Sequence, residues 1–227
     1  TLVQNFARSQ KRQLIEVNLE RNPNLDSVFK TNDPRKIMTE IEALTGITVR
    51  DETSLLFLDE IQATPSALPA LRYFYEERPD LPLIAAGSLL EFVLENHDFS
   101  MPVGRVEYLH LGPMTFREFL ISLDEEKLLS YFGREQVDFK IPETAHQKLL
   151  HRQREFLFVG GMPESVLAFS ESRSLLEARA VQRSIIQTYQ DDFAKYSRKT
   201  SLARLHRVFS SLPRRIGEKV KYSQISQ

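Results

Sequence analysis

Hydrophobic positions in this chain keep two different rhythms. Leu2, Val3 and Phe6 sit at helical spacing, which predicts a helix over residues 1–9. "QLIEVNL", Gln13 to Leu19, alternates apolar and polar side chains and predicts a strand. Asn32 or Asp33 followed by Pro34 reads as a cap and then a first-turn proline. The helix so started carries Ile37, Ile41 and Leu44 and stops at Gly46. "LLFL", inside "SLLFLDEIQ" (Ser54 to Gln62), is a short unbroken apolar run, as in a strand covered on both faces. Thr64-Pro65 opens another helix, with Leu68, Leu71 and Phe74 or Tyr75 on one side. "LPLIAAGS" and "RVEYLHL" predict two further strands.

Strand and helix thus alternate up to Leu123, the pattern of a parallel α/β sheet. Beyond it the strands stop. "EEKLLSYF", "AHQKLLHRQREFLF", "ESVLAF", "LLEARAVQRSIIQTYQDDFAKY" and "LARLHRVFSSL" all carry the helical period. The expectation is an α/β domain over residues 1–123 and a helical domain over 124–227, with the break between Asp124 and Pro142.

Composition narrows the picture only a little. The 227 residues are 41% hydrophobic, enough for a sizeable core, and carry a net charge of −1. Without cysteine there is no disulfide framework, Cys-based metal site or thiol nucleophile. No apolar run approaches the roughly 20 residues of a bilayer span, and the first residues lack the layout of a signal peptide. A soluble cytoplasmic protein is expected. Charge is concentrated locally: Arg198 to Lys221 holds eight Lys or Arg against one acid, Glu218. This is either a solvated basic helix face or the approach to a nucleic-acid-binding module.

The chemistry-bearing stretch is the end of "LLFLDE". In a parallel sheet, ligands bind beyond the carboxyl ends of the strands. Asp59 and Glu60 stand there, and two unpaired carboxylates would be costly to bury without a cation or reacting water to receive them. A solvated acidic turn is the plain alternative. One strand later, Ser88 either contacts a phosphate or caps the helix that "SLLEFVLEN" predicts.

"LLFLDEIQ", "LIAAGSLL", "VGRVEYLHLGPMTFREFL" and "FVGGMPESVL", in that order, resemble the AAA+/STAND-like P-loop ATPases of bacteria and archaea whose core is followed by a domain of unknown function. The resemblance covers nearly the whole chain. It implies a three-layer P-loop NTPase sheet, an all-helical lid and the start of a winged-helix-like region. It further implies ATP and Mg2+ as cofactors. "LLFLDE" looks like the Walker B strand, with Asp59 serving magnesium and Glu60 the attacking water. "AAGS" looks like sensor 1, with Ser88 near the γ-phosphate. Arg105 is similar to an arginine finger acting in cis or in trans, which carries with it an expectation of a homo-oligomer; a surface ion pair is its alternative. "GGMP" resembles a lid motif in which Gly161 and Pro163 approach the nucleotide, and otherwise reads as a turn.

No G-x-x-x-x-G-K-[ST] occurs. "TLVQNFARS" instead resembles the helix that follows such a loop, so Thr1 is expected at or just after its end, with the first strand and P-loop preceding it. "PRRIGEKVKYSQIS" resembles the entry to a winged helix, hence an expected DNA-contacting or protein-contacting module at that end. The competing reading is a nucleic-acid-binding or regulatory module whose degenerate nucleotide site does not turn over; no nuclease-like acid cluster supports a third. His146 and His151 lack zinc-site spacing, no serine lies in G-x-S-x-G, and Asp191 and Asp192 read as a solvated helix face.

Overall fold

A computed structural model describes residues 2–87, 104–131, 141–196 and 201–219. Contacts divide the chain into two compact units, Thr1–Leu109 and His110–Gln227.

The first unit begins with helix α1 (Leu2–Ser9) and strand β1 (Gln13–Asn18). Two helices follow, α2 (Leu25–Phe29) and α3 (Pro34–Thr45), then β2 (Ser54–Asp59), α4 (Ala67–Glu77) and β3 (Leu83–Ala85). The strands form a parallel sheet in the order β1-β2-β3. Central β2 is buried along Ser54 to Leu58 and half-exposed only at Asp59. Because side chains alternate across a strand, its run of leucines serves two faces. Leu56 and Leu58 join Ile15 and Val17 of β1, Phe29, Ile37, Ile41, Leu68 and Phe74 in the main core. Leu55 and Phe57, on the opposite face, are buried as well.

α3 forms as its ends dictate. The Asp33 carboxylate accepts from the backbone N–H groups of Arg35 (3.0 Å) and Lys36 (3.3 Å). Pro34 takes the first turn, and Gly46 closes the helix with φ of 70°. α4 starts later than Thr64-Pro65 suggests, because Ser66 turns its hydroxyl to Asp26 Oδ1 (2.6 Å) rather than capping the helix. Phe74 is the buried member of the Phe74–Tyr75 pair.

One expected strand does not form. Residues 106–111 have no regular structure, and Leu109 and Leu111 are 89% and 86% exposed. A strand persists only where a neighbour accepts its backbone hydrogen bonds, and the described partner of β3 is β2 alone.

The second unit is helical: α5 (Phe116–Ser122), α6 (Glu126–Leu129), α7 (Glu143–Val159), α8 (Pro163–Ser172), α9 (Leu175–Tyr196) and α10 (Leu202–Ser211), the last running into a 3-10 turn, Leu212–Arg215. Its core stacks Phe119 on Phe169 (5.8 Å between ring centres) and sets Phe156 at a tilt to Phe119 (5.3 Å), with Val159, Val166 and Ala178 around them. A smaller cluster joins Leu120, Leu128, Ala145 and Leu149. "EEKLLSYF" delivers a single described turn of helix, whereas α5 was not anticipated. Thr115 and Glu118 form a reciprocal capping box at its start. The α/β expectation, a parallel sheet followed by helices, holds. Half of the stretch read as a winged-helix entry, Pro213 to Lys219, is described, as the end of the 3-10 turn and the residues after it; the other half, 220–226, lies outside the described residues.

Candidate functional site

The candidate site grows from the tip of β2. Parallel pairing sets Asn18 of β1 directly beside Asp59. The Asn18 Nδ2 donates to Asp59 Oδ2 at 3.2 Å, and the Leu19 N–H donates to the Asp59 carbonyl at 2.9 Å. The sheet continues past the strand on the other side: Ala86 N–H donates to Leu58 O (2.9 Å), and Ile61 N–H to Ala86 O (3.0 Å). The chain has to turn within one residue, and Glu60 takes the turn with φ 54° and ψ 46°. That left-handed conformation costs a non-glycine residue about 1–2 kcal/mol. Lys11, Asn32, Asp124 and Arg173 share this positive-φ conformation among the described residues.

A glutamine steadies the turn. Gln62 Nε2 donates to Glu60 Oε2 in a short hydrogen bond. The other end of that carboxamide packs on Gly87, where an added Cβ would collide with Gln62 Oε1 and come within 3.2 Å of Ile61 Cγ2. Gly87 is therefore bare because the Gln62 amide lies against it. Gln62 Oε1 and Thr64 Oγ1 are both buried without a protein partner, and ordered water commonly satisfies such atoms.

Magnesium takes oxygen ligands and commonly uses one or two carboxylates together with water and phosphate oxygens. The half-exposed Asp59 and Glu60, with two unsatisfied polar oxygens in the same turn, fit that donor chemistry. Among the described residues no three His, Cys, Asp or Glu gather into a metal cage. A shallow cleft of about 470 Å³, lined by Thr31, Asn32, Asp33, Arg35, Tyr73 and Glu77, includes none of the expected site residues.

The other expected residues are distributed as follows. Arg105 Nε lies 3.4 Å from Glu76 Oε1, and Glu76 also accepts from Arg72 Nε at 2.9 Å. Arg72 foremost, with Arg105 adding, holds the Glu76 carboxyl below its usual range. In the second unit, Gly160 (φ 74°) ends α7 and Pro163 begins α8. Gly161 between them accepts from the Met114 N–H at 2.7 Å, and a Cβ there would meet the Met114 backbone and Pro113. "GGMP" thus builds a tight helix–helix turn. Thr1 and Ser88 lie outside the described residues.

Asn18, Gln62 and Gly87 were not singled out from the sequence. Gln62 lay in plain view within "DEIQ", but its link to Glu60 depends on the left-handed turn. Asn18 gains significance only from strand register.

Comparison with family models now bears directly on this site. The model described as "AAA domain" matches residues 1–120, just over half of the chain and all of the β2 turn. The chain belongs to the AAA domain family. AAA domains are nucleotide-binding P-loop modules and generally ATPases, so the sheet and its strand tips belong to a nucleotide-binding architecture. Residues 150–227 match a domain of unknown function, DUF8612. No curated protein and no solved structure matches the chain. Among the described residues, no helix of this AAA-family chain is long and apolar enough to cross a membrane.

Proposed function

We propose that the chain is an ATP-binding and ATP-hydrolysing switch or motor protein of the AAA+/STAND-like kind. The supporting observation is the strand tip itself: two consecutive carboxylates end the central strand, the second in a left-handed turn and anchored by Gln62. Asp59, fixed by Asn18, would hold the magnesium ion of a MgATP complex. That ion would neutralise charge on the phosphate oxygens. Glu60 would polarise the attacking water, and Gln62 would keep its carboxylate pointed at that water. Ser88 would contact the γ-phosphate. Arg105, a half-exposed guanidinium now beside Glu76, would exchange that partner for phosphate, in its own subunit or in a neighbour's. Thr1 would close the phosphate loop, while Gly161 and Pro163 would shape the approach to the nucleotide.

Glu60→Gln is the direct test. ATP binding should persist, while single-turnover hydrolysis should fall by about 10²–10⁴, the usual contribution of a positioned general base. Unchanged hydrolysis would remove Glu60 from the mechanism. The competing reading, a regulatory module with a non-hydrolysing nucleotide site, draws on the same Gln62–Glu60 bond, since a carboxylate already engaged is less available to water. In that case the wild-type protein binds ATP without turning it over.

A further inference from the structure

We propose that the cleft at the start of α3 and the end of α4 binds a short zwitterionic peptide, its ammonium toward Glu77 and Asn32 and its carboxylate toward Arg35. At about 470 Å³ the cleft falls in the size range of small-ligand sites. Thr31, Asn32 and Asp33 belong to the turn that leads into α3, and Arg35 stands in the first turn of that helix. Tyr73 and Glu77 stand one turn apart on the same side of α4.

Most charges around the cleft are already engaged. Asp33 Oδ1 accepts from two backbone N–H groups of α3, and Asp33 Oδ2 lies 3.8 Å from Lys36 Nζ. Arg72, 6.0 Å from the centre of the Tyr73 ring, donates to Glu76. Arg35 and Glu77 differ. Both are exposed and line the same cleft, yet neither has an ion-pair partner among the described residues. The cleft therefore offers one uncommitted charge of each sign.

That pairing selects the ligand. Phosphate groups alone would meet the carboxylates of Glu77 and Asp33, and a bare metal cation would meet Arg35, so each carries a like-charge penalty. A ligand with both signs satisfies both walls. Arg35 and Glu77 do not reach each other, so the ligand's two charges stand apart, as at the two ends of a short peptide. Asn32 sets the direction. Its Oδ1 is buried without a protein partner, and a buried acceptor calls for a donor. An ammonium brings three N–H groups, whereas a carboxylate brings none. Tyr73, half-buried between these groups in the chain's folding, gives the peptide's carbon atoms an aromatic surface to lie on. The cleft shares no residue with the proposed nucleotide site, so the two stand or fall separately.

The test is an NMR titration of this chain with the dipeptide alanyl-phenylalanine, read at the backbone amides of residues 31–33, 35 and 73–77. Shifts there should saturate. Acetylating the dipeptide's amine, or amidating its carboxyl, should each weaken binding about three- to fivefold, the contribution of one exposed ion pair. Glu77→Gln should erase the cost of acetylation and leave that of amidation, and Arg35→Gln should do the reverse. Such crossed losses separate contact with the ligand from a general loss of fold. Asn32→Gly, which keeps a backbone suited to φ of 51°, should also shrink the cost of acetylation. The proposal is overturned if no shifts saturate, if they fall only on other residues, or if the doubly capped dipeptide binds as well as the free one.

Discussion

Gln62 and Glu60 are hydrogen-bonded across a left-handed turn, and the far end of the Gln62 amide rests against the bare Cα of Gly87. One side chain thereby ties the tip of the central strand to the tail of the next. The three residues should behave as a coupled set.

Gly87→Ala tests that coupling. The new methyl would displace the Gln62 amide and crowd Ile61, an overpacking that costs about 1–3 kcal/mol. In a Gln62→Ala background most of the collision disappears, so the double variant should be clearly more stable than the sum of the two single losses. Urea unfolding of the four proteins gives the cycle; additive losses would mean the two residues do not press on each other.

Glu60 should show function and stability pulling in opposite directions. Glycine adopts φ near 54° without the Cβ penalty. Glu60→Gly is expected to leave the fold as stable or to stabilise it by up to about 1 kcal/mol, while ATP hydrolysis is lost. Thermal melts and ATPase rates on the same preparation check both halves. Marked destabilisation would show that the carboxylate, and not the backbone, dominates the turn.

The glycine of the α7–α8 turn is sensitive for a different reason. At Gly161 an added Cβ meets main chain, Met114 N at 3.0 Å, which cannot swing aside as a side-chain tip can. Gly161→Ala should therefore cost about 2–3 kcal/mol, and Gly160→Ala should also destabilise, because its φ of 74° with ψ of −172° is essentially a glycine conformation. Circular dichroism melts of the two variants would expose a tolerant turn.

Acid should weaken the start of α5. The Thr115 backbone N–H, and then its hydroxyl, hold the Glu118 carboxyl below its usual value of 4.5. A carboxylate whose pKa is lower folded than unfolded contributes stability that is complete above the unfolded value. That contribution is lost as pH falls through the folded one. Between about pH 5 and 3 the wild-type protein should lose more stability than Glu118→Gln. Parallel curves for the two would remove Glu118 from the acid response.

The parts of this fold legible in sequence are those with strong local rules. Asp33-Pro34 and Gly46 framed α3, and the apolar run of "LLFL" marked the central strand, because caps and burial on two faces leave direct traces. The box Thr115–Glu118 was equally readable and was passed over within a longer motif. Residues 106–111 misled because alternation records a capacity to pair, whereas pairing itself needs a neighbour that no local pattern supplies. At the site, the order Asp59-Glu60 could be read, but the conformation of Glu60 could not: a left-handed glutamate runs against residue preference, and the bonds that hold the turn, Ile61 N–H to Ala86 O and Gln62 to Glu60, link residues that no local pattern pairs.

Because β2 is apolar toward both layers, sliding it one position along β1 would exchange Leu55 and Phe57 for Leu56 and Leu58 with little change in burial. Greasy contacts are thus a poor ruler here. Alignment falls to the polar marks at the strand's ends, the Arg12 guanidinium donating to the Ser54 carbonyl and Asn18 donating to Asp59. The acid proposed for magnesium is also the notch that keys one strand to the next, and an Asp59→Ala "dead" protein should be checked for misthreading before its silence is credited to chemistry.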